Sequence, residues 1–433
     1  MAGGTWQKQN KVRPGAYINV KSTGQVKVTE SSKGVVTLPL VLDFGPDKVI
    51  KIENEKDAAV LGYELSDPKL LLVKEALKQA KTVLVYCVGG GTKATAKEGG
   101  LTITAVNPGS RGNQINVVSK EKVDEEGAFE VSTFIEGQPS EVQTVKNIEE
   151  LEATNLVSFS GKGALTAFSV RLSGGTDTTA TAEDYATYFD KIQVYDFNTM
   201  ALPVEDESVK IAAASFVKRL RDEEGKKCQL VVANYDADHE SVINVKNGVI
   251  LEDGTVISKE QATAWVAGAT AGAGVATSLT YKKYDGAVDV TERFLNTEII
   301  ESLQKGEFIF IEKRGEVVIE KDINSLHTFE PEKGKEFAKN RVLRVLDDIA
   351  NTTKQAFEDN FIGKVNSDKD GREMFKANRI AYFDSLQAAG AITDFKADDV
   401  EVIEGNERDS IVLNVAIQPV DALEKLYMTV QVV

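Results

Sequence analysis

Between residues 92 and 181 the hydrophobic spacing of this chain changes to short alternating runs and then changes back. This double switch restricts the fold more than any other feature. The runs 101–105, 114–119, 128–136, 141–145, 156–159 and 167–172 alternate apolar and polar residues, which is the period of a half-buried strand. Turn formers such as Asn107-Pro108-Gly109 and Glu136-Gly137 separate them, so the segment reads as a small antiparallel sandwich or barrel. On either side the spacing is that of helices alternating with buried strands. Helices are expected at 68–79, 182–190, 206–224, 258–273 and 291–303, and strands at 35–42, 81–88, 193–197, 229–233, 307–312 and 317–320. Strands joined by helices of that length pair mostly in parallel and are covered by those helices. The expected architecture is an α/β multidomain chain with an antiparallel β-domain inserted into its core. Gly89-Gly90-Gly91 and the run 173–179 mark the two junctions.

A chain of 433 residues is too long for one core, and about three domains are expected. Hydrophobic residues at 42% and charged residues at 27% are ordinary for a folded protein. The formal net charge of -16 argues against nucleic acid or an anionic membrane as partner. Residues 261–281 carry no charge but consist mainly of Ala, Gly and Thr. Such residues gain too little on insertion to span a bilayer, whereas they suit a helix packed closely against a sheet. Cys87 and Cys228 sit inside apolar runs and are read as small buried hydrophobes, not as a disulfide. Residues 1–10 are polar and lack the apolar core of a secretory signal. Folding in a bacterial-type cytoplasm follows as the expectation.

Beyond His327 two long helices are expected, at 335–361 and 367–390. In the first, Val342, Val345, Leu346, Ile349, Ala350, Thr353 and Phe357 form one apolar stripe, while Lys335, Lys339, Arg341 and Arg344 cluster in the opening turns. A strand pair at 400–404 and 411–417 follows. Two β-favouring runs have no evident hairpin mate: Ala16, Tyr17, Ile18, Asn19 and Val20 near the start, and Tyr427, Met428, Thr429, Val430, Gln431 and Val432 near the end. Unpaired strands recruit other strands, so addition between copies of the chain is one reading and pairing inside the same subunit is the other.

Enzyme chemistry finds little support. A Ser-His-Asp triad needs a histidine base, and the chain offers only His239 and His327. His239 lies in Asp236-Ala237-Asp238-His239, where adjacency in sequence does not make an acid–base pair, and it is read as a surface loop residue. No Gly-x-Ser-x-Gly elbow occurs. Asn366, Asp368, Asp370 and Gly371 resemble the opening of a calcium loop, but Ala377 stands where the bidentate glutamate belongs. Residues 268–274 are glycine-rich without the lysine of a phosphate loop. No catalytic residue, metal or cofactor is expected.

Three motifs in order give the chain a family resemblance. They are the opening Met1-Ala2-Gly3-Gly4-Thr5-Trp6 through Arg13-Pro14-Gly15-Ala16-Tyr17, then Asn107-Pro108-Gly109-Ser110-Arg111-Gly112-Asn113, then Ala267-Gly268-Ala269-Thr270-Ala271-Gly272 followed by Ser278-Leu279-Thr280. With its order of segments the chain resembles, over essentially its whole length, the tail sheath proteins of Gram-positive contractile phages, defective prophages and R-type bacteriocins.

The resemblance implies a subtilisin-like α/β core without protease chemistry, an inserted antiparallel β-sandwich domain, an α+β C-terminal domain facing an inner tube, and extended N- and C-terminal arms. Boundaries are expected at 1–22 for the first arm, 23–90 and 181–325 for the core, 91–180 for the sandwich, 326–425 for the C-terminal domain and 426–433 for the last arm. The partners implied are other sheath subunits in stacked hexameric rings, an inner tail tube protein, and baseplate and tail terminator proteins, with neither nucleic acid nor a small-molecule substrate. Lys335, Lys339, Arg341 and Arg344 are the tube-contact candidates. Assembly would take place in the host bacterial cytoplasm and end in the tail of a released particle, which contracts to drive the tube through an envelope. The competing reading is a cytoplasmic α/β hydrolase-like enzyme with an unrecognised site.

Overall fold

The computed structural model describes residues 2–4, 13, 15–19 and 34–432. Val20, most of the first arm at 1–22, and Val433 lie outside the described residues. The chain divides into two compact units, one made of 37–74 and 82–194 and the other of 75–81 and 195–433 with the residues before 37.

The first unit contains the predicted β-domain. One antiparallel sheet runs Gln138–Val145, Phe129–Ile135, Ile115–Glu121, Phe168–Arg171, and a second runs Val157–Gly161, Leu101–Ala105, Thr95–Glu98. Alternation drives the assembly: in Leu101–Ala105 every second side chain is buried, and the buried set Leu101, Ile103, Ala105, Ile115, Val117, Val131 and Val157 fills the core. Beside this domain the fully buried strand Thr82–Val88 pairs antiparallel with Ile50–Ile52. The helix Ala182–Ile192 packs on Thr82–Val88 and opens with a capping box, Thr181 receiving the Asp184 amide and returning its own to the Asp184 carboxylate. Tyr188 is fully buried on that helix, and its hydroxyl finds Thr37 Oγ1 at 2.7 Å.

In the second unit Glu307–Phe308, Val242–Val245, Gln229–Ala233 and Thr199–Leu202 lie side by side, all parallel. The last three are buried almost throughout, as a sheet covered on both faces requires. Helix Lys259–Gly272 packs against this sheet, as does Glu207–Asp222. The uncharged segment through Gly272 is therefore a buried helix, and its small residues serve close approach: a Cβ on Gly268 would lie 2.4 Å from the Ala76 carbonyl oxygen. Among the described residues no helix is long and apolar enough to cross a membrane.

The strand expected at 193–197 is absent. Helix Ala182–Ile192 ends in a turn there, with Val194 79% exposed, and the strand is Thr199–Leu202. β propensity misled here: Val194, Tyr195 and Phe197 favour strands, whereas Met200, Ala201 and Leu202 of the actual strand do not. The expected 335–361 helix also begins late. Residues Lys335–Ala338 form a 3-10 turn and the α-helix is Asn340–Asn360, because Lys339 bridges to Ile323 and the Asn340 amide donates to the Asp322 carbonyl. With Lys369–Ala388 and the antiparallel pair Val400–Glu404 and Ile411–Val415, that helix closes a core of Val345, Phe383, Leu386, Ile392, Phe395 and Val400.

Candidate assembly surface

After Val415 the chain forms no regular element through Val432. It is nonetheless held at first. Ala416 donates its amide to the Asp399 carbonyl at 3.0 Å, Thr393 donates to Gln418 at 3.3 Å, and Val420 donates to Ala391 at 2.8 Å. Then Lys339 contacts Asp421 and reaches Glu424 at 2.9 Å. Beyond Glu424 the side chains turn to solvent: Leu426, Tyr427, Met428, Val430 and Val432 are between 72% and 96% exposed, and Thr429 and Gln431 are exposed with them. So many large apolar side chains exposed within seven residues mark an interaction surface.

The amino-terminal run behaves differently. Gly15–Tyr17 pairs in parallel with Ala2–Gly4, Ala16 is buried, and the strand packs on helix Asn340–Asn360. The run thus pairs within its own chain, the second of the two readings, through a parallel partner and not a hairpin mate. A three-residue parallel ladder between glycine-containing segments leaves no hairpin signal to read. Ile18 is half-buried and Asn19 exposed.

The four basic residues do not form one surface cluster. Lys335 is exposed and Arg341 half-buried. Lys339 is engaged by Asp421 and Glu424. Arg344 is buried, its Nη2 donating to Asp322 Oδ2 at 2.5 Å and to the Thr277 carbonyl at 2.9 Å. Arg344 is therefore corrected from a tube-contact candidate to an internal ion-pair residue. Helical spacing puts it next to Val345 and Asp348 on the covered side, whereas linear clustering reports only charge.

The motif at 107–113 pins the sandwich to the segment before it. Gly109 has φ +126°, and a Cβ there would lie 1.9 Å from the Asp43 carbonyl oxygen. The Arg111 amide donates to that oxygen at 3.1 Å, and the guanidinium covers the Tyr63 ring at 3.8 Å. Asn113 exchanges two bonds with the Gly175 backbone, each 2.8 Å, and Asp177 takes the Ser110 amide at 2.7 Å.

The residues weighed for enzyme chemistry have structural duties. His239 lies in a loop, as expected, but is half-buried there, and its Nδ1 lies 2.7 Å from the Oγ of Ser241, which is 1% exposed. Burial pushes the imidazole below its ordinary pKa. A serine so enclosed meets no substrate. Asp368 caps a helix by accepting the Gly371 amide at 2.8 Å. Among the described residues no group of three acidic, cysteine or histidine side chains is placed to hold a metal. A cavity of about 60 Å³, lined by Lys227, Gln229, Thr270, Arg344, Asp347 and Asn351, has room for a few waters only.

Four parts of the phage tail sheath protein match in order along the chain. The Gp18 domain III N-terminal region matches residues 33–88, the beta-sandwich domain 89–179, the central domain 178–325 and the C-terminal domain 332–433. The phage-like element PBSX protein XkdK of Bacillus subtilis is 40% identical, with 100% of each chain covered. The crystal structure of a sheath tail protein from Desulfitobacterium hafniense is similar at TM-score 0.82 and 46% identity, covering 96% of this chain and 99% of that one. At the level of fold the likeness extends to the helical sheath of the anti-feeding prophage in its contracted state, with TM-score 0.58, 14% identity and coverage of 98% and 99%. The fold is the multidomain mixed α/β fold of sheath proteins with a β-sandwich domain. The chain belongs to the phage tail sheath family: it is a structural subunit of a tail sheath, not an enzyme.

Proposed function

We propose that copies of this chain polymerise as stacked hexameric rings around an inner tail tube, linked by strand addition of residues 426–432 to a neighbouring subunit. The observation that carries the reading is the exposure of that apolar run, from 72% at Val430 to 96% at Val432, in a segment of strong β propensity. In strand geometry Leu426, Met428, Val430 and Val432 share one face and Tyr427, Thr429 and Gln431 the other. One face is then built for burial and one for water. A chain that is continuous across a joint lets rigid domains rotate without parting, so contraction exchanges one subunit packing for another without disassembly.

On this reading the parallel sheet of the second unit belongs to a subtilisin-like core, and of the four basic candidates Lys335, the exposed one, is available to an acidic tube. Baseplate and terminator proteins would close the two ends of the assembly, which forms in the bacterial cytoplasm. Electron microscopy of the purified full chain tests the proposal: tubes or rings are expected. Removing residues 427–433 leaves a folded, soluble subunit that does not polymerise, and polymers at wild-type abundance after that deletion reject it.

A further inference from the structure

Lys339 stands where the C-terminal segment leaves the body of the subunit. Its ammonium contacts Asp421 and donates to Glu424 at 2.9 Å, and Glu424 also accepts the Thr280 hydroxyl at 3.2 Å. Both holding residues are themselves fixed. Lys339 is bridged through its backbone to Ile323, and Thr280 Oγ1 accepts the Asp322 amide at 3.1 Å. The Asp322 carboxylate, 1% exposed, pairs with Arg344 and takes the Leu279 amide at 3.0 Å. The clasp therefore rests on a buried ion pair and on loop backbone fixed by hydrogen bonds.

A second observation comes from the segment itself. The Glu424 side chain is 14% exposed, while its neighbours Leu423 and Leu426 are 102% and 85% exposed. Apolar residues outward and a carboxylate inward reverse the ordinary preference. Only specific partners for the carboxylate impose that orientation, and here they are Lys339 and Thr280. Burial works against the Lys339 ammonium, yet the bonds to Asp421 and Glu424 outweigh it and raise its pKa above the ordinary lysine value.

We infer that Lys339 is a positioning residue for assembly: by clasping Asp421 and Glu424 it fixes the point at which the segment departs, and hence the register in which residues 426–432 meet a second copy of the chain. The inference rests on the strand-addition reading above. Releasing the clasp frees about five more residues, roughly 16 Å of slack in extended chain. A longer tether lowers the effective concentration of the strand at its acceptor. It also loosens register, and a slip of one residue turns the apolar face of a strand outward.

The test uses the full chain with Lys339→Met, which keeps the aliphatic stem, and Glu424→Gln, which sits on the emerging segment and does not endanger the body. Amide hydrogen exchange over 418–425 is measured in dilute, unassembled protein, and the critical concentration for polymer is measured by sedimentation. Either substitution is expected to speed exchange there about tenfold and to raise the critical concentration about tenfold. Lys339→Arg is expected to restore both, and the swap Lys339→Glu with Glu424→Lys to restore part. Unchanged exchange overturns the clasp, and faster exchange with an unchanged critical concentration overturns its role in assembly. If instead the chain lacking 427–433 polymerises normally, the strand-addition reading fails, whatever the exchange at 418–425 reports.

Discussion

The guanidinium of Arg111 lies 3.8 Å above the ring of Tyr63, with 8% of the arginine exposed and Asp67 and Glu136 at 3.8 Å and 3.4 Å from its nitrogens. Tyr63 hydrogen-bonds Asp43, whose carbonyl receives the Arg111 amide. Residues 43–67 and the loop at 107–113 are thus joined by stacking, charge and backbone at once. The second of the three motifs behind the family resemblance is, in physical terms, this joint.

Arg111→Ala is therefore expected to lower the stability of the first unit by about 1–3 kcal/mol, combining a desolvated cation–π contact with partly buried ion pairs. Arg111→Lys recovers only part of it, since an ammonium lacks the planar face that stacks. Urea denaturation of the full chain followed by tyrosine fluorescence checks this. An unchanged midpoint in Arg111→Ala refutes the joint.

The two faces of the emerging segment give a paired experiment. Met428→Asp places a charge on the face expected to be buried in a neighbour, and polymer is expected to be lost while the thermal transition of the subunit stays where it was. Gln431→Asp alters the opposite face and is expected to change the critical concentration less than about threefold, the scale of a single exposed charge. Sedimentation of both variants decides the matter, and equal effects would rule out a strand with one buried face.

Acid stability should report on Glu240. Burial alone would raise this carboxyl, but the neighbouring charges of His239, Arg221 and Lys333 outweigh it and hold it at about 2, against an ordinary 4.5. Lys333 Nζ donates to both of its oxygens, at 2.9 Å and 3.1 Å. A folded-state pKa below the unfolded one means that the unfolded chain binds the proton first. The contribution is thus complete above pH 4.5 and is lost as pH falls from there to about 2, amounting to about 3 kcal/mol. In Glu240→Gln, denaturation midpoints are expected to be lower at pH 6 and to decline less steeply between pH 4.5 and 3 than in the wild type.

Cys87 and Cys228 are expected to resist alkylation in the folded protein. Burial pushes both thiols up to about 12, and they are 8% and 1% exposed, while the thiolate is the reactive form. Iodoacetamide at pH 8 should label neither until denaturant is added, as mass spectrometry of intact protein will show. Rapid labelling of either in native buffer contradicts the fold around it.

How much was legible beforehand follows from what each signal encodes. Leu101–Ala105, Gln229–Ala233 and Val400–Glu404 appeared where their residues placed them, because apolar spacing and β propensity are local properties that the strand satisfies wherever it packs. Helix ends were nearly as readable: the helices expected at 258–273 and 367–390 are Lys259–Gly272 and Lys369–Ala388, each end within two residues. Thr199–Leu202 went unread because Met200, Ala201 and Leu202 have little β propensity, whereas Val194, Tyr195 and Phe197 just before them favour strands.

By itself, then, the sequence determined the local periods, the breaks at glycines, the exclusion of a histidine-based catalyst and the β-prone character of residues 427–432. The tertiary structure decided which residues of one type share a fate. Arg344 went into a buried ion pair with Asp322, Lys339 went to the root of the emerging segment, and Lys335 stayed in solvent, although all three lie within ten residues of each other. The same holds for Ala16, covered in one short β-run, and Val430, left exposed in another. Exposure and pairing depend on what the rest of the chain brings alongside, and that is a non-local quantity: a side chain's neighbours in space come mostly from segments far away in sequence.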